Sequence, residues 1–324
     1  MSVRRRRLWG AGAACATVCT LLTGFVSPVA QALAPPPDAA RHIAGAATRS
    51  ASLLDLVILR PLAVLREPGQ PAAIIGHRGD SAAAPENTMA AFELTTSVGA
   101  EYFEIDIRMS KDGVPVVMHD STVDRTTDGT GAVADLTIAE LKALDAGSWF
   151  DESHTGARIP ALDDVLALVA DTRRTDVVIE YKGNWTKAGV KATIEMIDHA
   201  GLENRVIAQS FSEKTVAQLR KAAPDLVVGW LTHALDAPTI RAARQIGADA
   251  VNPAVASARA VALAHDAGLG VFVWTHDADA DWEELTAMGV DGIVTNRPDA
   301  LQAWSHQRST DRRRPQGGAR GLQF

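Results

Sequence analysis

From Ala73 onward the chain alternates short apolar runs with helical stretches. The runs are AAIIGH, YFEIDI, VVIEYK, RVIAQSF, VVGWLT, ADAVNP, GVFVWT and DGIVTN. Segments with Leu/Ala periodicity separate most of them, such as TKAGVKATIEMIDHAG and SEKTVAQLRKAA. Strands that alternate with helices cross over right-handed and lie parallel in one sheet, so this pattern admits few architectures. One further apolar stretch, Val114 to Met118, follows the turn chemistry of Lys111, Asp112 and Gly113 and reads as a hairpin return. With it set aside, about eight parallel strands remain, which suits a (β/α)-barrel. An open doubly wound sheet is the other solution, but no Gly-rich dinucleotide fingerprint follows the first run. At 324 residues and 47% hydrophobic, the chain can bury a sizeable core.

A parallel barrel carries its chemistry at the carboxyl ends of its strands. His77 ends the first run, Glu104 and Asp106 fall in the second, Glu180 and Lys182 in the third, Ser210 in the fourth and Trp274 in the seventh. Alternation puts residues i and i+2 of a strand on one face, roughly 6–7 Å apart, so Glu104 and Asp106 point the same way. Carboxylates that share a buried face repel unless a cation or a proton lies between them. Glu104, Asp106 and Glu180 offer hard oxygen donors and no thiolate, a set suited to Ca²⁺ or Mg²⁺. Lys182 can hold an anionic substrate group, and His77 and His119 arrive from separate segments as an acid and base pair. Each motif alone has a bland reading: E-x-D on a strand is a salt-bridged rim, and His119 before Asp120 is a loop histidine. Their convergence points instead to cleavage at a phosphorus centre.

The start of the chain is of another kind. Arg4 to Arg7 precede an apolar stretch from Leu8 to Val26, and Ala32-Leu33-Ala34 forms an A-x-A site before Pro35. That is the layout of a secretory signal peptide over residues 1–34, with a twin-arginine route open and a retained anchor as the alternative. Both cysteines, Cys15 and Cys19, lie inside it, so the exported protein would hold no disulfide, zinc-thiolate site or cysteine nucleophile. Residues 35–72 read as a helical lead-in, 73–304 as the barrel domain and 305–324 as a disordered basic tail. The formal net charge is −7 although the start and the tail are both rich in arginine, so the body between is more acidic still. That excludes general nucleic-acid binding, which needs a basic footprint. No stable membrane insertion is expected once the signal is cleaved.

The stretches GHRGDSAAAPENTMAAF, EYFEIDIRMSKDGVPVVMHDSTVDRTTDGTG and IPALDDVLAL closely resemble the glycerophosphodiester phosphodiesterase family, and VVIEYK, AQSF and VFVWT follow in its order. The resemblance spans roughly Ile74 to Pro298. It implies an α/β fold, a (β/α)8 TIM barrel with a small insertion after the second barrel strand, here about Met109 to Ile159. By position, Glu104, Asp106 and Glu180 match the family's metal ligands, and His77 and His119 match its general acid and base. Arg78 and Lys182 match cationic residues near the phosphate. Glu86 and Asn87 of P-E-N-T look like support for the first loop, or caps of the next helix. Phe211 and Trp274 are expected to wall the pocket.

The implied reaction is metal-dependent hydrolysis of a small-molecule glycerophosphodiester to sn-glycerol 3-phosphate and an alcohol. The competing classes are a lysophospholipid or sphingolipid phosphodiesterase or lyase, against which the P-E-N-T motif speaks, and a non-catalytic lipid- or wall-binding barrel. Two departures stand out: His276 and Asp277 follow the W-T pair, and Asn296 ends the last run where an Asp is common. Neither is expected to touch the metal or the imidazoles, and His276 is expected at the rim.

Overall fold

The computed structural model describes residues 65–66 and 70–313. The signal-like start, most of the lead-in and residues 314–324 lie outside the described residues.

Each of the apolar runs forms a strand. In chain order these are β1 (Ala73–Gly76), β2 (Tyr102–Met109), the hairpin return β3 (Pro115–Val117), β4 (Asp176–Tyr181), β5 (Val206–Ser210), β6 (Val227–Ala234), β7 (Ala250–Val255), β8 (Gly270–Val273) and β9 (Gly292–Thr295). Parallel neighbours follow the order β1-β9-β8-β7-β6-β5-β4-β2, and β1 also pairs with β2, which closes the ring. Strand β3 alone is antiparallel, set on the outer end of β2. The sheet is thus a (β/α)8 TIM barrel with one appended strand.

The helices are α1 (Met89–Ser97), α2 (Ile138–Ala143), α3 (Leu162–Asp171), α4 (Lys187–Ala200), α5 (Glu213–Ala222), α6 (Ala237–Ile246), α7 (Ala258–Asp266), α8 (Asp279–Met288) and α9 (Pro298–Arg313). Their ends are written in the sequence. Thr88, Thr186, Ser212, Asp236 and Ser257 cap N-termini by accepting a backbone N–H, and Gly201, Gly247 and Gly289 stop helices in the left-handed conformation.

Two cores follow from strand alternation. Phe103, Ile105, Ile107, Val177 and Ile179 face outward into the layer between sheet and helices. Inside the ring, Ile75, Val178, Ile207, Phe272 and Val294 form a separate floor, with Tyr102 and Val227 packed against it. The next inward residue along each of these strands is His77, Glu180, Gln209, Trp274 or Asn296, and Glu104 stands in the same relation to Tyr102. The candidate site residues on these strands are therefore the upper storey of an apolar plug.

The insertion returns to the barrel as expected, with Val116 bridging Ala161 at the start of α3. It has its own small core of Val116, Met118, Val123, Val133, Leu141, Ala146 and Ile159. Val116 on β3 and Met118 just beyond it pack into that core, while Val117, opposite Ile107, joins the layer between sheet and helices. The ladder carries on past β3, because the Met118 N–H donates to the Asp106 carbonyl at 2.8 Å. His119 follows two residues beyond the end of β3.

The tail needs correction. Helix α9 runs to Arg313, through the first part of the stretch read as disordered from residue 305. Trp304 packs edge-on against the buried Trp282 at 6.0 Å, and Arg308 covers the Trp304 ring at 4.9 Å while pairing with Glu283 at 3.0 Å. Those contacts give the polar end of the helix something to hold.

Candidate active site

A cavity of about 380 Å³ opens at the carboxyl ends of the strands. His77, Arg78, Glu104, His119, Glu180 and Lys182 border it on one side, and Phe211, Leu231, Trp274 and Val294 on the other. Asp106 lies beneath, 1% exposed, in contact with Lys182.

The turn after β1 is built for close approach. Arg78 takes a left-handed φ of 56°, and its N–H donates to Glu104 Oε2 at 3.0 Å. A Cβ at Gly79 would lie 2.6 Å from the Ala91 backbone, so only glycine lets this turn seat against α1. Asn87, also left-handed, makes a two-way clasp on Asp106: its Nδ2 donates to Oδ2 at 2.8 Å, and its Oδ1 accepts the Asp106 N–H at 3.2 Å. Glu86 accepts from Arg78 and from Arg125, both at 2.7 Å. Neither Glu86 nor Asn87 caps α1; Thr88 does. Both instead hold site residues in place.

Three carboxylates meet under the cavity. Ligand oxygens of Glu104, Asp106 and Glu180 all lie within 4.8 Å of one another. Burial, then the charges of Asp106 and Glu180, push the Glu104 carboxyl well above its ordinary range. Burial and Asp106 push Glu180 up to about 7. Asp106 moves the other way: burial opposes its charge, but Lys182 and Arg78 hold it well below the usual carboxylate range. Lys182 Nζ sits 3.0 Å from Asp106 and 2.8 Å from Glu180. One oxygen of Glu104 is fixed by Arg78, while the other, Oε1, is buried with no hydrogen-bond partner. An oxygen-only donor set with an unsatisfied inward oxygen fits a hard divalent cation.

The two imidazoles have different partners. His119 Nδ1 lies 2.7 Å from Asp120 Oδ1, and Arg125 Nε donates to Asp120 Oδ2 at 2.6 Å. His77 Nδ1 lies 2.7 Å from Asn296 Oδ1, which also accepts from Ser81 Oγ at 2.9 Å. Asn296 therefore does touch an imidazole, contrary to the expectation from sequence; the end of β9 adjoins β1, and 219 residues of separation hide that neighbour. Asp277 accepts from the Asn296 N–H and from its Nδ2, each at 2.7 Å. Burial of His77, reinforced by Arg78, lowers its pKa to about 4. Burial, opposed by Asp106, also lowers that of His119.

Several groups took other places than their sequence positions implied. Ser210 does not border the cavity; its hydroxyl donates to the Tyr181 carbonyl at 2.7 Å and ties β5 to β4. Gln209 borders it instead, one residue earlier and of inward parity. His276 stays outside, between Asp281 and the Ala254 carbonyl. Sequence reasoning gave no role to Asp120, Arg125 or Asp277. The residue after His119 and the arginine of the STVDRTT stretch were visible signals, but their reach was not.

The comparisons with known proteins agree with this geometry. Residues 77–300 match the model of the Glycerophosphoryl diester phosphodiesterase family. The chain is 39% identical over 232 residues to a glycerophosphodiester phosphodiesterase of Caldanaerobacter subterraneus, covering 70% of this chain and 95% of that one. Among solved structures, a glycerophosphodiester phosphodiesterase from Agrobacterium tumefaciens superposes with a TM-score of 0.63 at 32% identity, over 72% of this chain and 99% of that one. A phosphodiesterase of Oleispira antarctica, solved with the product sn-glycerol-3-phosphate, superposes with a TM-score of 0.65 at 25% identity, over 73% of this chain and 97% of the other. With residues 77–300 matched by the family's model and relatives of this kind over most of its length, the chain belongs to the glycerophosphoryl diester phosphodiesterase family.

Proposed function

We propose that this protein is an exported phosphodiesterase that hydrolyses glycerophosphodiesters to sn-glycerol 3-phosphate and an alcohol, using a divalent cation, Ca²⁺ or Mg²⁺, and the His77/His119 pair. One observation carries the chemistry: two imidazoles, each with its Nδ1 fixed by a different kind of partner, border one cavity over a carboxylate cluster. The export reading rests on the signal-like start, which lies outside the described residues; among those described, no helix is long and apolar enough to cross a membrane.

Hydrogen-bond logic supports one division of the two roles. The Asp277 carboxylate only accepts, so it fixes the Asn296 amide with Nδ2 toward itself and Oδ1 toward His77. An amide oxygen also only accepts, so His77 Nδ1 carries the proton and Nε2 keeps a lone pair. His77 is then the base of the first step, taking a proton from the glycerol 2-hydroxyl as that oxygen attacks phosphorus. His119, backed by the Asp120 carboxylate, is the better imidazolium and gives its Nε2 proton to the departing alcohol oxygen. Water then opens the cyclic phosphate with the roles exchanged. Arg78 holds the phosphate side of the cavity. Glu104, Asp106 and Glu180 would hold the cation, which when bound supplies Lewis-acid polarisation of the non-bridging oxygens.

Phosphorus NMR of the products from a panel of glycerophosphodiesters tests this reading. Expected are sn-glycerol 3-phosphate as the end product, loss of turnover on chelation and its return with Ca²⁺ or Mg²⁺. Cyclic phosphate as the sole end product would make the enzyme a lyase, and full turnover in metal-free protein would remove the cation from the scheme.

A further inference from the structure

A second cavity, about 270 Å³, lies beside the first, between the outer end of β2, the insertion and the β4–α4 loop. Arg108, Ser121, Lys182, Asn184 and Trp185 are among the residues that line it, and Lys182 borders both cavities. We propose that this cavity is the subsite for the leaving alcohol and that it is built to accept an alcohol carrying a second phosphate. The proposal rests on the hydrolase reading above and names its preferred substrate class.

Among the described residues, Arg66, Arg78, Arg205, Arg220 and Arg308 are partly buried arginines, and each pairs with a carboxylate. Arg108 is partly buried and has none. Its Nε and Nη2 both donate to one neutral acceptor, the His119 carbonyl, at 3.0 and 2.6 Å, and its Nη1 has no protein partner among the described residues. No Asp or Glu lines the cavity, although the chain as a whole is acidic. A half-desolvated guanidinium that touches no carboxylate, with Asp106, Asp120 and Glu180 acting on it only from a distance, favours an anion.

His119 protonates the departing oxygen, so the alcohol extends past His119 toward the insertion. Ser121 stands two residues on, and Arg108 holds the carbonyl of His119 itself. The donors also suit a tetrahedral group. Asn184 Oδ1 is taken by Ser212 Oγ at 2.8 Å, which leaves the Asn184 Nδ2 to donate. With Arg108 Nη1 and the Ser121 hydroxyl, three donors belong to residues that line one cavity, equal in number to the free oxygens of a phosphomonoester. A cationic alcohol such as choline finds no carboxylate there and meets Arg108.

The test compares kcat/KM for a matched pair, glycerophosphoglycerol and the same diester with a phosphate on the leaving glycerol, with glycerophosphocholine as a third arm. The intact, cation-loaded enzyme should prefer the phosphorylated member by at least ~10-fold, the scale of one charge-assisted hydrogen bond, and should handle the choline diester worst. Arg108→Met should bring the ratio of the pair close to one. Because Arg108 also holds the His119 carbonyl, the ratio is the readout and not the absolute rate. Asn184→Asp keeps the Arg108 contacts, puts a negative charge in the cavity, and should likewise erase or invert the preference. Equal rates for the pair in wild-type enzyme that turns over the neutral member would overturn the subsite alone, as would a preference that survives Arg108→Met. Turnover of no member would overturn the subsite together with the hydrolase reading.

Discussion

The two sides of the barrel mouth are made by different physics. On the side of β1, β2 and β4, charged side chains are held by short polar contacts: Asp106 is clasped by the Asn87 amide, Glu104 accepts from the Arg78 backbone N–H, and Lys182 bridges Asp106 and Glu180. On the side of β5 to β8, Phe211 is 41% exposed and meets Trp274 edge-on at 5.5 Å and His233 at 5.6 Å. Of these three rings, among the described residues, only the Trp274 indole is anchored by a hydrogen bond, to the Asn252 carbonyl at 2.7 Å. A buried charge that moves away from its partners is left with an unmet desolvation cost, whereas a ring can slide at little cost because its contacts are many and weak. The reaction is thus set on the rigid side, and tolerance toward the substrate body on the softer one.

The comparison breaks first at His119. Replacing it by Asn should lower kcat by ~10²–10⁴-fold, the usual share of a general acid or base, with calorimetric metal affinity unchanged and no rescue by added cation. Glu104→Gln should behave in the opposite way, losing metal affinity and recovering at high metal. If excess cation restored His119→Asn, the histidine would belong with the ligands.

Acid should strike the rigid side next. The folded pKa of His77, about 4, lies below its ordinary 6.5. The unfolded chain therefore binds more protons between those values, and stability is lost as pH falls from about 6.5 to about 4. At ~1.36 kcal/mol per unit the loss is at most roughly 3 kcal/mol, and less where water in the cavity reaches the ring. Urea unfolding across that pH range should show a steeper acid loss in wild type than in His77→Asn; parallel curves would mean that His77 is not the group responsible.

Arg125→Gln comes third. It cuts the chain that runs from His119 through Asp120 to Glu86 and Arg78. The expected loss is ~10–100-fold in kcat, the range seen when an outer partner of a site residue is removed, with KM within about threefold. A change confined to KM would show that Arg125 serves binding rather than the orientation of His119. On the soft side, Phe211→Leu should raise KM by about two- to fivefold and leave kcat and metal affinity alone, because a half-exposed ring contributes little. A large kcat effect there would erase the distinction between the two sides.

The barrel was legible because its strands are short apolar runs of fixed parity separated by helix caps, and both signals are local. The carboxylates and His77 were legible for a related reason: they lie in or just after apolar runs, and strand parity turns them toward the mouth. His119 was legible as the residue that follows the returning run, although parity does not give its direction. What escaped was whatever depends on ring closure. Asn296 reaches His77 only because β9 lies beside β1, and Arg125 reaches Glu86 only because the insertion folds back over the first loop. Gln209 was missed for a smaller reason, since parity places it, and not the neighbouring Ser210, inside the ring.

The insertion gives the enzyme a composite character. Of the two imidazoles, one stands at the end of a barrel strand and the other on a lobe whose core of Val116, Met118, Val123, Val133, Leu141, Ala146 and Ile159 is separate from that of the barrel. Small cores open locally at less cost than large ones. The lobe can then undock from the mouth while the ring stays closed, which separates loss of catalysis from loss of fold. In mild denaturant, turnover should fade together with amide protection in the lobe, at concentrations where β4 to β8 remain protected. In such a molecule the half-life of activity reports on a single docked appendage, and the durability of the scaffold is a separate quantity.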